Sequence, residues 1–304
     1  MKITELFSKN TYVVTSEVGP AKGCIRSNGN GSLPKFIEEA KLLQDHVHAI
    51  NVTDNQSAVM RLGSLAGSVK LKENGIESIY QITCRDRNRI ALQSELLSAY
   101  SLGLDNVLVL TGDHTTLGDH STAKPVFDID SVHLLKIATG MRSGHDMEGN
   151  ELTQAPDFAV GAVVNPNFEP LDLQLIKMEK KIGAGAEFFQ TQAVYDAKLF
   201  ERFIRKTERF GVPVQMGVVL IKSSKMAYHM NNHVAGITVP ESWLKELDKT
   251  PKGETKRKCV EMTAGLLKEV APMCQGIHFM PLGWSELVPE IMARAGLPRA
   301  GHCR

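Results

Sequence analysis

Short runs of apolar and β-branched residues alternate with longer amphipathic stretches along the whole sequence, and that rhythm restricts the chain to few folds. Strand-like runs fall at Tyr12 to Glu17, Ala49 to Thr53, Ser78 to Thr83, Asn106 to Leu110, Phe158 to Val164, Phe188 to Gln192, Val214 to Leu220 and Gly276 to Met280. Between them the apolar period lengthens. Leu171, Leu175, Met178 and Ile182 share one helical face, with Lys177, Lys180 and Lys181 on others. Asp196 is placed to cap a helix carrying Leu199, Phe200, Phe203 and Ile204, stopped by Gly211 and Pro213. Asp86 likewise precedes a helix through Leu92, Leu96 and Leu97 that ends at Gly103. A helix after each strand implies parallel neighbours, because a parallel pair needs a crossover. Eight such units close a barrel, so the pattern predicts one α/β domain over residues 1–304, a single (β/α)8 barrel with long loops after strands four and seven (Thr111 to Asp157, Ile221 to Gln275). An open dinucleotide-binding sheet would carry G-x-G-x-x-G after its first strand, and Glu17-Val18-Gly19-Pro20-Ala21-Lys22-Gly23 lacks that spacing.

Charge excludes two partner classes. Lys plus Arg number 35 against 34 Asp plus Glu, a net charge of +1, which gives no basic field for nucleic acid or an anionic membrane. The longest apolar runs, such as Phe158 to Val164, fall far short of the roughly 18 residues a membrane-spanning helix needs. Met1 to Asn10 has no export signal, and five cysteines without a C-x-x-C pair give neither a redox nor a zinc signature, so a cytoplasmic setting is expected. Asp113-His114, Asp119-His120 and His145-Asp146 fit no compact metal site, and none is expected. Ser27 to Ser32 reads as a flexible loop, Lys249 to Lys258 as a solvated basic face before a helix from Thr255 to Val270, and Met226 and Met230 as packing.

In a barrel the residues at the C-terminal strand ends converge on one pocket. Strand one delivers Glu17, strand two Thr53 and Asp54, strand three Gln81 and Thr83, strand four Thr111, Gly112 and Asp113, strand five Asn165, and strand six Gln190 and Gln192. Carboxylates, amides and a glycine meeting at one rim offer an acid or base, hydrogen-bonding readers for a heterocycle, and room for close backbone approach.

The segments Val14-Thr15-Ser16-Glu17, Asn51-Val52-Thr53, Gln81-Ile82-Thr83-Cys84, Leu110-Thr111-Gly112-Asp113, Lys181 to Ala186 and Gln190 to Asp196 stand in the order and approximate spacing of the methylenetetrahydrofolate reductase family, which the chain resembles nearly throughout. Ile277-His278-Phe279 is similar to its last strand. The resemblance implies a flavin-containing TIM barrel that reduces 5,10-methylenetetrahydrofolate to 5-methyltetrahydrofolate in one-carbon metabolism. It implies that Glu17 protonates N10 to open the imidazolidine ring, a task served by the raised pKa that desolvation in a mostly apolar pocket gives a carboxyl. Asp113 and Gln192 then bind the folate, while Thr53, Gln81, Thr83, Thr111, Gly112, Asn165 and Lys181 fall where the family holds its flavin.

Departures accompany these matches. Gln81 and Thr111 stand where better-known bacterial members have His and Arg, and Gly161 and Asn165 replace their Tyr and His. Those side chains help hold the flavin's phosphates and adenylate, so FAD is the family default and FMN the alternative. Lys222-Ser223-Ser224-Lys225 follows strand seven in place of an aromatic, and Met280, Gly283 and Trp284 replace Tyr, Asn and Arg after strand eight. The electron donor is then NAD(P)H or a partner redox protein, and an oligomer or partner subunit is expected. Two other readings remain: an aldolase-type lyase in which Lys222 forms a Schiff base, and a pterin-binding subunit of a larger one-carbon assembly.

Overall fold

The computed structural model describes residues 1–25 and 33–300; the expected flexible loop at 27–32 lies outside the described residues. Eight parallel strands close a barrel in sequence order: β1 (Val13–Val18), β2 (Ala49–Val52), β3 (Ser78–Thr83), β4 (Asn106–Leu110), β5 (Ala159–Val164), β6 (Phe188–Ala193), β7 (Val214–Val219) and β8 (Gly276–Met280). β8 pairs with β1 through Val13 to Ser16, which removes both sheet edges. Every strand read from the sequence is present, with no end shifted by more than one residue.

The helices are α1 (Ile3–Ser8), α2 (Lys35–Leu43), α3 (Ser64–Glu73), α4 (Arg89–Ser101), α5 (Ser131–Arg142), α6 (Leu171–Gly183), α7 (Ala197–Thr207), α8 (Ser224–His233), α9 (Glu241–Asp248), α10 (Thr255–Val270) and α11 (Val288–Ala295). The long connections after β4 and β7 carry α5 and α8 to α10 respectively. Asp196 caps α7, accepting the Lys198 and Leu199 N–H groups, as its position before the apolar face predicts. The expectation for Asp86 needs correction. Asn88 caps α4 through the Ala91 N–H, and the Asp86 carboxylate is engaged by the Arg85 guanidinium instead.

The barrel interior is sealed at its N-terminal end. Ile3 of α1 packs with Val13, Ala49, Ile79, Leu108 and Phe188, and the Phe7 and Phe188 rings lie 6.0 Å apart. Ile3 N donates to Asn106 Oδ1 at 2.7 Å, fixing α1 across that opening. Access to the interior is therefore from the C-terminal rim. Gly161 has a packing reason: a Cβ there would stand 2.3 Å from the buried Phe188 ring, so the ring takes the volume a side chain on β5 would fill. Gly161→Ala should cost about 1–3 kcal/mol by overpacking. Urea unfolding should show that loss, and Phe188→Leu in the same chain should recover part of it by withdrawing the ring.

Candidate active site

Above the apolar plug the barrel turns polar. Thr15, Asn51, Gln190, Gln215 and His278 are all buried and meet through side-chain hydrogen bonds. Asn51 Nδ2 donates to Gln190 Oε1 at 2.8 Å, and Gln190 Nε2 lies 3.1 Å from Gln215 Oε1. The Gln190 and Gln215 amide nitrogens each lie 3.2 Å from Thr15 Oγ1. An amide nitrogen only donates, so wherever both amides spend a proton on the Thr15 oxygen, the hydroxyl's own proton is left for His278 Nδ1, 2.9 Å away. In that arrangement Nδ1 is the acceptor and the imidazole N–H is the one on Nε2. Nε2 faces Glu17 Oε2 at 3.7 Å.

Glu17, the penultimate residue of β1, is 8% exposed. Gln56 Nε2 donates to its other oxygen, Oε1, at 3.3 Å. Its surroundings are thus an amide donor and an imidazole, where the sequence reading expects a mostly apolar pocket. The carboxyl sits with one oxygen fixed from the rim and the other above a buried hydrogen-bonded chain.

The loops after β2, β3 and β4 are bound together by two arginines. Asp54 accepts from the Thr83 N–H and hydroxyl, both at 2.9 Å, and pairs with Arg87 at 2.8 Å. Arg87 also meets Glu95, which accepts the Tyr80 hydroxyl at 2.6 Å. Arg85, 2% exposed, chelates Asp86 and donates to the Asn55 carbonyl at 3.3 Å and the Asp113 carbonyl at 3.2 Å. Gly112 lies between these elements at φ +92°, where a Cβ would come within 3.0 Å of Thr83 and 3.2 Å of Arg85.

The expected site residues divide into two groups. Thr53 is buried with its hydroxyl lacking any partner among the described residues, and Gln81 is buried with no side-chain hydrogen bond among them. The exposed Asp113 carboxylate is likewise without a protein partner among the described residues. Gln192 Oε1 accepts from the Ala193 N–H at 3.0 Å, leaving its amide nitrogen available. Its strand carries a register shift between Gln190 and Ala193, where Thr191 Oγ1 accepts the Gly217 N–H at 2.8 Å. Three others are engaged within the fold: Thr83 with Asp54, Thr111 with Ser131 of α5 at 3.0 Å, and Asn165 with the Gly236 carbonyl at 2.9 Å. Lys181 leaves α6 and donates to the Val163 carbonyl of β5 at 2.7 Å.

Sequence reasoning missed Gln56, the role of Arg85 and the buried Thr15–Gln215–His278 chain. The signal for the arginines is present in Arg85-Asp86-Arg87-Asn88-Arg89 directly after an apolar strand, a charge density that a solvated turn does not need. Lys222 donates to the Leu282 carbonyl and stands 5.3 Å over the Trp284 ring. No three His, Cys, Asp or Glu side chains among the described residues are grouped to hold a metal, and no described helix is long and apolar enough to cross a membrane.

A parallel eight-stranded barrel, sealed below and carrying a buried carboxyl over a polar floor, defines a class of proteins whose chemistry sits at the C-terminal rim. Residues 2–296 match the methylenetetrahydrofolate reductase family model, and the chain belongs to that family. A probable NADPH-dependent methylenetetrahydrofolate reductase of Caenorhabditis elegans is 26% identical over 87% of this chain, which spans 40% of that relative. The 5,10-methylenetetrahydrofolate reductase of Salmonella typhimurium is 22% identical over 68% of this chain and 64% of its own length. Among solved structures, an uncharacterised Clostridium thermocellum protein that binds two copies of 5-methyl-5,6,7,8-tetrahydrofolic acid superposes with a TM-score of 0.64 at 15% identity, covering 96% of this chain and 97% of that one. A 2,3-dimethylmalate lyase shares the fold with a TM-score of 0.54 at 11% identity, covering 97% of this chain and 88% of that one.

Burial, reinforced by nearby Lys177, lowers the Lys181 pKa to about 8. A lysine whose folded pKa lies below its unfolded value weakens the fold while charged. That cost is present in full below about pH 8 and is relieved as pH rises toward the unfolded value of about 10.4. Lys181→Met should therefore alter the unfolding free energy by an amount that differs between pH 7 and pH 10.5, the wild type gaining relative to the variant on the alkaline side. Parallel unfolding curves of the two proteins across that range would contradict the assignment.

Proposed function

We propose that the chain, acting as one catalytic domain over residues 1–304, is a flavin-dependent methylenetetrahydrofolate reductase that converts 5,10-methylenetetrahydrofolate to 5-methyltetrahydrofolate. The observation that carries this reading is Glu17, a buried carboxyl at the rim of a family member's barrel, with Oε1 fixed by Gln56 and Oε2 facing His278. The folate ligand of the Clostridium thermocellum neighbour supports the same substrate class.

Several rim groups suit a flavin. The Thr53 hydroxyl, without a partner among the described residues, and the buried Gln81 amide offer hydrogen bonds to a heterocycle. The bare Gly112 backbone permits close approach, and Lys181, which spends one of its three N–H donors on the Val163 carbonyl, keeps two more to offer a phosphate. Thr83, Thr111 and Asn165 enter this reading as residues that shape the loops, since their side chains are already bonded. A bound flavin supplies the hydride, with NAD(P)H or a partner redox protein as the electron source.

The protein's own groups perform the rest. Asp113 and the Gln192 amide bind and orient the folate from the β4 and β6 ends. Glu17 delivers a proton from Oε2 to N10 of the imidazolidine ring. The N10–methylene bond breaks with its electron pair going to N10, leaving an N5 iminium that accepts hydride. The carboxylate formed keeps the Gln56 N–H on Oε1, with His278 Nε2 standing 3.7 Å from Oε2.

The purified protein should bind FMN or FAD, and the mass of the released flavin identifies which. Glu17→Gln should leave the fold, flavin binding and donor-driven flavin reduction unchanged, while the folate half-reaction falls by about 10²- to 10⁴-fold. Stopped-flow measurement of the two half-reactions decides this. Equal slowing of both, or near-normal folate reduction, would remove Glu17 from the chemistry.

A further inference from the structure

We propose that Gln56 is a positioning residue that selects which oxygen of Glu17 carries the transferable proton, held in place by a strained β2 loop that the buried Arg85 anchors. The inference rests on the reading of Glu17 as proton donor and deepens it. Gln56 Nε2 can only donate, so Glu17 Oε1, at 3.3 Å, must accept and serve as the carbonyl oxygen of the protonated carboxyl. His278 Nε2, 3.7 Å from Oε2, is beyond hydrogen-bond reach, so the Gln56 bond is the one that acts on the carboxyl among the described residues and it assigns the proton to Oε2. When the O–H bond breaks and the N10–H bond forms, the amide stays hydrogen-bonded to the resulting carboxylate.

The loop carrying Gln56 is built to hold a conformation it would not adopt alone. Asn55, Ser57 and Ala58 have φ of 46°, 55° and 57°, the left-handed region that residues with side chains disfavour. Such a run persists only where its surroundings determine it, and here contacts on each side do so. Arg85 Nη2 donates to the Asn55 carbonyl at 3.3 Å, and the Arg61 N–H donates to Asn55 Oδ1 at 3.0 Å. On the far side Gly118 lies so close that a Cβ there would be 1.8 Å from the Ala58 carbonyl oxygen. The Met60 N–H bonds to Asp119 at 3.0 Å, and Asp119 is itself paired with Lys22 at 2.7 Å. Arg85 also holds the Asp113 carbonyl, so one guanidinium sets the loop that orients the acid and the loop that carries a folate-binding carboxylate.

The test uses the flavin-loaded protein. Gln56 is exposed and its side chain supports no core packing, so Gln56→Leu should fold as the wild type does. It should slow the folate half-reaction about tenfold, the effect of losing one hydrogen bond to a charged group. Affinity for 5-methyltetrahydrofolate and the rate of donor-driven flavin reduction should be unchanged. Because Gln56 acts through Glu17, adding Gln56→Leu to Glu17→Gln should cause no further loss. A wild-type folate rate in Gln56→Leu, or losses that multiply in the double variant, would overturn the inference while leaving the role of Glu17 intact. A wild-type protein that binds flavin but does not reduce methylenetetrahydrofolate would instead overturn the functional reading, and this inference with it.

Discussion

The hydroxyl of Thr15 is the point on which the interior depends. The amide nitrogens of Gln190 on β6 and Gln215 on β7 lie 3.2 Å from it, and Nδ1 of His278 on β8 lies 2.9 Å away. Four strands are thereby tied at one oxygen, in a barrel whose lower half is filled by Val13, Ala49, Ile79, Leu108 and Phe188. A buried polar layer is stable only when its members are satisfied, and leaving one donor or acceptor unpaired costs about 1–3 kcal/mol. That requirement makes the orientation of each amide in the floor depend on the others. The consequence reaches the rim at the buried Glu17, two residues beyond Thr15 on the same strand, whose Oε2 lies 3.7 Å from the imidazole that Thr15 contacts.

Around this floor the loops after β2, β3 and β4 are joined in one hydrogen-bonded network. Asp54, Thr83, Arg87, Glu95 and Tyr80 form a continuous chain of charge-assisted hydrogen bonds, and Arg85 adds the backbone of Asn55 and Asp113. Guanidinium groups suit this work because their fork of donors reaches several acceptors at once. On the opposite side Asn165 and Asn167 both donate to the Gly236 carbonyl, which docks the long β7–β8 connection onto β5.

The barrel was legible because its strands read as continuous apolar runs separated by helices of regular period, the pattern that burial on both faces imposes. The rim residues were legible as positions, since each stands at the end of such a run. Their engagements were not. Thr83 and Thr53 are the same residue type at corresponding strand ends, yet one is bonded to Asp54 and the other has no partner among the described residues. That difference is set by a loop seen only in three dimensions. Helix α1 was missed because six residues are too few for periodicity to stand out, although Ile3, Leu6 and Phe7 are spaced to meet the barrel's lower opening. Gln56 gave no signal because its importance comes from the left-handed backbone around it, which Asn, Ser and Ala do not announce as glycine does.

The central claim is that the buried chain fixes the tautomer of His278 and so presents an N–H to Glu17. Nitrogen-15 NMR of histidine-labelled protein near pH 7.5, with His278→Gln used to assign the resonances, reads that tautomer directly. The account predicts a neutral imidazole protonated on Nε2 with Nδ1 bare, converting to the other tautomer or to a mixture in Thr15→Val. A proton on Nδ1 in the wild type, or a Thr15→Val spectrum identical to it, would contradict the account.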